Sequence, residues 1–190
     1  MSTSVPSRRT SVDVGVAILD ILKLPDPALK RVSEPVTQFD DALRAFIDDL
    51  EETRQHGPAA VGIAAPQVGY AKRIVIIDCS TTRKPVPNHG HLILVNPEII
   101  HWEGYEPGRE GCLSVPDYTG TVIRATRIHL VADDPHGNPL EFDMQGYEAR
   151  AAQHEIDHLD GMLFVDRVVS RRADLFKRKV YQKGGGKAAG

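Results

Sequence analysis

The segment that most constrains this chain is His154-Glu155-Ile156-Asp157-His158. In an α-helix, residues four apart lie on one face, one turn from each other, so the two imidazoles can bind one metal ion together. A carboxylate directly after the first histidine is then placed to act on a water molecule at that ion. The segment therefore predicts a helix with a catalytic metal site. The plainer alternative is a surface helix with two solvated histidines.

Composition places the chain among ordinary globular proteins. Its 190 residues are 41% hydrophobic and 26% charged, as expected of one domain with a real core. The net charge of -3 gives no case for DNA binding, and no apolar run approaches the roughly 20 residues that span a bilayer. We therefore expect neither DNA nor a membrane as a partner. Two cysteines, Cys79 and Cys112, form no disulfide framework and fit a reducing cytosol.

Both ends of the chain are expected to be tails around one catalytic domain at 17–183. Residues 1–16 have few apolar anchors, which predicts a disordered tail, and the glycine-rich residues 184–190 indicate a flexible one. Because no apolar signal-peptide region stands near the start, a cytoplasmic location is expected. Organellar import stays open, since two arginines stand among serines in the first ten residues.

Helices are predicted towards the two ends of the chain and strands in the middle. Apolar residues recur at helical spacing from about 40 to 57, and a C-terminal helix is predicted from about 171 to 183. Pro97 is expected to end the second predicted strand, and the last two strands suit a hairpin. Because helices and strands do not alternate, the pattern favours an α+β fold with antiparallel strands. The predicted strands are 73–78, 92–96, 121–132 and 140–144.

Two histidines cannot complete a catalytic metal site, which usually has three protein ligands and a water molecule. Cys112 is the strongest further candidate, because it lies beside turn residues and a thiolate is a strong ligand. A lone cysteine is more often a small buried apolar residue, and that interpretation suits Cys79, at the end of a buried-looking strand. The weaker candidates are His89, His91, His129, Asp157 and Asp160.

A third segment, 60–69, is rich in small residues, which let backbone approach backbone or ligand closely. Within it, Gln67 is an amide among apolar neighbours and needs hydrogen-bond partners. The plainer alternative is a turn that this amide caps.

Together these segments resemble the motifs of the peptide deformylase family. That family carries Gly-x-Gly-x-Ala-Ala-x-Gln, Glu-Gly-Cys-Leu-Ser and Gln-His-Glu-x-Asp-His-Leu in this order, which here are residues 60–67, 110–114 and 153–159. Ala60 departs from the motif by replacing its first glycine, and we expect an ordinary φ there. Arg150 and Ala151 stand where family members often have larger apolar residues, which leaves the size and polarity of the side-chain pocket open.

The resemblance implies a fold and an activity. Antiparallel sheets would flank the helix that carries the two histidines. The chain would be a metal-dependent hydrolase that removes the formyl group from the N-terminal formylmethionine of newly made polypeptides, so its partners would be N-formylmethionyl nascent peptides. One divalent ion per chain is implied, with Fe²⁺ expected and Ni²⁺, Co²⁺ or Zn²⁺ able to occupy the same site.

The resemblance also implies residue roles. Cys112, His154 and His158 are expected to bind the metal ion, and Glu155 to act as general base and then general acid. The side-chain amide of Gln67 and the backbone N–H of Leu113 are expected to stabilise the oxyanion. The expected walls of the substrate pocket are Val61, Gly62, Ile63, Gly111 and Tyr147.

Two interpretations of the basic C-terminal end of the chain stay open. Eight basic residues and one acidic residue lie between Arg167 and Lys187, which indicates either a solvated basic helix or a helix that contacts ribosomal RNA.

Two other functions are disfavoured. A general zinc peptidase is disfavoured because the cysteine precedes the histidine pair and no later ligand follows it. A structural metal site is disfavoured because only three convincing ligands are present, and such sites usually have four.

Overall fold

The computed structural model describes residues 15–56, 58 and 60–179. The predicted tail at 184–190 and most of the tail at 1–16 lie outside these residues. Within them the helices are α1 (Asp41–His56), α2 (Gly146–Leu159) and α3 (Arg171–Asp174). The strands are β1 (Gly62–Ala64), β2 (Ile74–Asp78), β3 (His91–Glu103), β4 (Glu106–Cys112), β5 (Val115–Arg124), β6 (Arg127–Asp133), β7 (Pro139–Gln145) and β8 (Leu175–Lys177).

Two antiparallel sheets enclose α2, which confirms the predicted α+β fold around a central helix. One sheet has the strand order β1-β2-β3-β6-β7, and the other has the order β4-β5-β8. Ala149, Ala152 and Ile156 of α2 pack into the apolar cluster of the larger sheet. On the side of the smaller sheet, His154 contacts Glu110 of β4. The helix that carries the two histidines is therefore buried between both sheets.

The N-terminal helix is confirmed as α1. Its apolar face carries Leu43, Ile47 and Leu50, which are buried in a second apolar cluster together with β1 and β2 residues such as Ile63 and Ile76. The two apolar clusters lie on opposite faces of the larger sheet, because successive side chains of a strand point to opposite sides.

Two of the strand predictions were wrong in extent. The strand predicted to stop at Pro97 continues to Glu103, with a register shift between Val95 and Glu98. Pro97 has no N–H to donate, and a bulge is where a sheet tolerates it; Asn96 beside it has a φ of 51°. The segment 121–132 is divided by a break after Arg124, so that its halves lie in β5 and β6 of different sheets.

Other elements agree with the prediction or are shorter. The hairpin of β6 and β7 is confirmed. The C-terminal helix is present as α3, but it ends at Asp174 and is followed by β8, in which Leu175 and Phe176 pair with β5. Pairing with a sheet edge overrides the helical preference of this segment. Within the described residues, no helix has the length and apolar character needed to cross a membrane.

Candidate metal centre

Three potential metal ligands from two elements meet beside α2. Cys112 ends β4, while His154 and His158 lie one turn apart on α2, and their ligand atoms all lie within 4.8 Å of one another. The Sγ atom of Cys112 is 3.4 Å from Nε2 of His158. Burial lowers the pKa of His158 well below its ordinary value, so its ring is neutral, as a metal ligand must be. One thiolate and two imidazoles fit a divalent transition-metal ion with a coordination position left for another ligand.

Glu110 determines how the ring of His154 is oriented. Its Oε1 lies 2.8 Å from Nδ1 of His154. Burial favours the neutral form of Glu110, but hydrogen bonds with Arg124 and His154 outweigh this effect and lower its pKa to about 2. Because an ionised carboxylate can only accept hydrogen bonds, Nδ1 carries a proton, and Nε2 is the ring atom that can bind a cation. Burial lowers the pKa of His154, but hydrogen bonds with Cys112 and Glu110 outweigh this effect and raise it well above its ordinary value, so a cation must displace the proton of Nε2.

A buried ionic network surrounds Glu110. Arg124 donates to both carboxylate oxygens of Glu110 at 2.9 Å and to Asp157 at 2.6 Å. Arg150 donates to Glu110 and to a backbone carbonyl of β5, at 2.9 and 2.8 Å. Arg167 also pairs with Asp157. Asp157, one of the weaker ligand candidates, is therefore an ion-pair partner of two arginines.

Gln67 is fixed with its amide nitrogen towards the site. Its Oε1 accepts a hydrogen bond from the backbone N–H of Ala64 at 2.9 Å. Its Nε2 donates to Oγ of Ser114 at 3.1 Å and lies 3.5 Å from Sγ of Cys112. Because the backbone occupies the oxygen, the NH₂ group is the one that faces Cys112.

Glu155 is buried and held apart from other polar side chains. It is 5% exposed, and among the described residues its Oε2 has no hydrogen-bond partner. Burial raises its pKa to about 7. A Cβ atom added to Gly62 would lie 2.6 Å from Oε1 of Glu155, so Gly62 leaves the space that this carboxyl group occupies. A carboxyl group with this pKa can take up and return a proton near neutral pH.

A cleft of about 1000 Å³ opens in front of these side chains. Leu113, in the turn between β4 and β5, and four of the five expected pocket residues line it. Ile63 was wrongly expected there: it is fully buried on the α1 side of β1, because alternation along the strand turns Gly62 and Ile63 to opposite faces. The expected pocket residues that line the cleft are Val61, Gly62, Gly111 and Tyr147.

The three residues that depart from the family pattern, Ala60, Arg150 and Ala151, also line the cleft. The ordinary φ expected at Ala60 stays a prediction. Arg150 reaches Glu110, and Gly108 makes room for it, since a Cβ there would lie 2.7 Å from the guanidinium carbon.

The other candidate ligands lie away from this site. Cys79 is 1% exposed in the apolar core, and burial raises its pKa to about 12. Each of the remaining candidates pairs with a side chain outside the site: His89 with Glu148, His91 with Glu51, His129 with Asp143 and Glu141, and Asp160 with Arg73.

Sequence reasoning did not assign roles to Glu110 or Arg124. Glu110 stands two residues before Cys112 in the cysteine motif, so a carboxylate near a candidate ligand was the available signal. Nothing in the local sequence around Arg124 links it to Glu110 or to Asp157, since these contacts depend on how β4, β5 and α2 pack.

Known proteins are similar to this chain in sequence and structure over most of its length. The sequence model of the polypeptide deformylase family matches residues 18–174. A peptide deformylase of Acidobacterium capsulatum is 43% identical over 163 residues, which cover 86% of this chain and 94% of the relative. A crystal structure of a peptide deformylase from Legionella pneumophila is 41% identical, with a TM-score of 0.73 over 80% of this chain and 86% of that one.

A peptide deformylase from Acinetobacter baumannii with bound Met-Ala-Ser is 35% identical and has a TM-score of 0.76, over 81% of this chain and 100% of that one. The family-model match, residues 18–174, spans all three motifs and the described site. This chain belongs to the peptide deformylase family.

Proposed function

We propose that this chain removes the formyl group from the N-terminal formylmethionine of newly made polypeptides, as a metal-dependent hydrolase. The observation that carries the proposal is that Cys112, His154 and His158 converge beside Glu155 at one cleft. Family membership supports it. The Acinetobacter baumannii relative supports it further, because Met-Ala-Ser is the peptide that deformylation of formyl-Met-Ala-Ser would leave.

In this proposal Cys112, His154 and His158 hold one divalent ion. When bound, the ion supplies the Lewis acidity that lowers the pKa of water from about 16 towards about 7. Fe²⁺ is the ion that we expect, and Ni²⁺, Co²⁺ or Zn²⁺ suits the same thiolate and imidazole ligands.

Glu155 and Gln67 perform the proton transfer and the charge stabilisation. Glu155 takes a proton from the attacking water molecule and later delivers it to the leaving amine, for which a pKa of about 7 is suited. As the formyl oxygen becomes an oxyanion, the Nε2 amide of Gln67 and the backbone N–H of Leu113 donate hydrogen bonds to it. Donors held in place before the reaction need no reorganisation as this charge develops.

The cleft supplies substrate selectivity in two ways. The formyl carbon bears only hydrogen, so a tight site excludes the additional methyl group of an acetylated peptide by overlap. Val61 and Tyr147 provide apolar surface for the methionine side chain. Gly62 and Gly111 line the same cleft, along which the peptide backbone binds.

The proposal extends to the cellular setting. N-formylmethionyl nascent peptides are the partners, and the bacterial relatives support a cytoplasmic location. A contact with ribosomal RNA would use the exposed Arg171 and Arg172 of α3. Changing both to glutamate is expected to reduce co-sedimentation with ribosomes at low salt; sedimentation that is indifferent to the change would contradict this contact.

The proposed function is tested with formyl-Met-Ala under anaerobic conditions, with elemental analysis of the same sample. We expect release of formate by protein that holds one metal ion per chain, and no hydrolysis of acetyl-Met-Ala or casein. Glu155→Ala protein is the control, because it retains the three ligands and loses the general base. Absence of formate release by the metal-loaded protein, or equal release by the Glu155→Ala variant, contradicts the proposal.

A further inference from the structure

Strand β8 brings a cation to the mouth of the cleft. The backbone N–H of Arg178 donates to the carbonyl of Asp117 at 2.8 Å, which extends the pairing of β8 with β5 by one residue. The guanidinium of Arg178 lies over Gly111, because a Cβ atom added to Gly111 would overlap one of its terminal nitrogens. Gly111 directly precedes Cys112, so this positive charge lies beside the proposed metal ligands.

A second cation lies further along β4. The guanidinium carbon of Arg109 is 3.7 Å from the centre of the Phe176 ring in β8, and its Nη1 donates to Oγ1 of Thr119 in β5 at 3.1 Å. Phe176 and Thr119 are themselves register partners. The three strands therefore hold Arg109 in place through an aromatic ring and a neutral hydroxyl group, neither of which cancels its charge.

Neither charge is compensated within the described part of the chain. No carboxylate there lies within the 4.0 Å ion-pair distance of Arg109 or Arg178, whereas Arg150 in the same cleft is neutralised by Glu110. Both uncompensated arginines line the cleft and are exposed to solvent. A guanidinium group held at a binding cleft without a carboxylate partner is suited to bind a carboxylate of a ligand.

None of the acidic residues that line the cleft forms an ion pair with Arg109 or Arg178 in the described part of the chain. Asp20 and Asp26 line it from the segment 18–26, whose backbone bonds to Gln67 and Ser114 and not to β8. The carboxylate of Asp26 also accepts a hydrogen bond from the backbone of the following 3₁₀ helix. The two uncompensated guanidinium groups therefore lie on the wall formed by the smaller sheet, and Lys23 adds an exposed ammonium group from the segment 18–26.

We propose that Arg109 and Arg178 form an anion-binding subsite that favours substrates with an acidic residue shortly after the formylmethionine. This inference rests on the proposed function and specifies the substrates of the same site. Strand β4 is an edge strand of its sheet, so an extended peptide can run along it away from Cys112. Such a peptide advances about 3.3 Å per residue and passes Gly111 first and Arg109 next, which places the acidic side chain at the second or third position.

The test compares C-terminally amidated tetrapeptides that differ at one position. Formylmethionine is followed by glutamate, glutamine or lysine at the second or the third position, with alanine elsewhere, and amidation removes the terminal carboxylate as a competing anion. At 50 mM NaCl we expect kcat/KM to be about three- to tenfold higher for a glutamate peptide than for its glutamine counterpart, mainly through KM, which is the scale of one or two exposed ion pairs. The preference is expected to shrink at 500 mM NaCl because salt screens exposed charges.

Variants assign the preference to the two arginines. Arg178→Gln and Arg109→Gln are each expected to lower the ratio of kcat/KM for the glutamate peptide to kcat/KM for the glutamine peptide. Arg178→Glu is expected to reverse the preference, so that the lysine peptide has the higher kcat/KM. The control is Arg83→Gln, which removes the same charge from an exposed loop outside the cleft and leaves the ratio unchanged. Turnover of the all-alanine peptide reports whether each variant is folded and loaded with metal.

The outcomes separate this inference from the proposed function. Release of formate from the all-alanine peptide with equal kcat/KM for glutamate, glutamine and lysine peptides overturns the subsite and leaves the proposed function standing. A glutamate preference that survives in both glutamine variants overturns it as well. Failure of the metal-loaded wild-type protein to act on any formylated peptide contradicts the proposed function, and the subsite with it.

Discussion

The carboxyl group of Glu155 occupies the space that a side chain at Gly62 would fill. A Cβ atom on Gly62 would lie 2.6 Å from Oε1 and 2.8 Å from Cγ of Glu155. Gly62 has no positive φ, so it is the contact with Glu155, and not the backbone conformation, that requires a glycine. The first motif therefore positions the general base as well as lining the cleft.

Replacing Gly62 by alanine is accordingly expected to displace Glu155. A misplacement of about 1 Å can cost about a hundredfold in rate, so we expect kcat on formyl-Met-Ala to fall about 10- to 100-fold while one metal ion per chain is retained. Gly15→Ala is the matched control, since no atom of the described residues lies within 4 Å of a Cβ there. Unchanged kcat in the Gly62→Ala variant contradicts this role.

Removal of the Gln67 amide is expected to lower kcat by about 10²–10³, the effect of losing one oxyanion donor. The side chain is held by Ala64 and Ser114, so the loss concerns a donor that is already oriented. Steady-state kinetics of Gln67→Ala check this, with Gln38→Ala on the exposed surface as control. A Gln67→Ala enzyme within tenfold of the wild type removes Gln67 from the mechanism.

Replacing each of the two cysteines by alanine tests which of them binds the metal ion. Cys112→Ala is expected to lose tight metal binding, because one of three ligands is missing. Cys79→Ala is expected to keep one ion per chain and to lose about 1 kcal/mol of stability from its small core cavity. Elemental analysis after gel filtration distinguishes the two variants. One ion per chain in Cys112→Ala protein shows that Cys112 is not a ligand.

Glu110 is expected to govern metal affinity without being a ligand. Glu110→Gln weakens the hydrogen bond that orients His154, and we expect a 10- to 100-fold loss of affinity in competition with a chelator. Stability is expected to fall by about 3 kcal/mol, because buried arginines lose a charged partner while Asp157 still pairs with Arg124. The exposed Glu106→Gln serves as control. Wild-type affinity in the Glu110→Gln variant refutes the orienting role.

A pH-dependent contribution to stability is expected from Glu51 on α1. Burial opposes ionisation, but hydrogen bonds from Arg54 and Gln55 lower its pKa from 4.5 to about 2. A lowered pKa means that the stabilisation is present above pH 4.5 and is lost as the pH falls towards 2, since the unfolded chain takes up the proton first. Urea unfolding therefore gives a difference in the free energy of unfolding between wild-type and Glu51→Gln protein, and this difference shrinks below pH 4.5. Glu52→Gln, the same substitution at the exposed neighbouring position of α1, is the matched control.

The elements that could be predicted from sequence are those whose pattern is local. The histidine pair lies on a helix because its spacing suits one turn of an α-helix, and α1 and the β6–β7 hairpin follow from apolar periodicity and a turn. The C-terminal helix was predicted too long, because the pairing of β8 with β5 lies outside any local window. Ile63 was assigned to the pocket by its place in a motif, but the alternation of side chains along β1 turns it to the apolar cluster that contains α1.

The sequence by itself determined the chemistry of this protein: which residue types can bind a metal ion, move a proton and donate to an oxyanion, and on which local structures they stand. Only the tertiary structure decided what surrounds them. The pairing of Glu110 with His154, the space that Gly62 leaves for Glu155, and the approach of Arg178 to Gly111 each join residues far apart in the chain. Such contacts depend on how whole sheets and helices pack, and no local pattern of side chains specifies that packing.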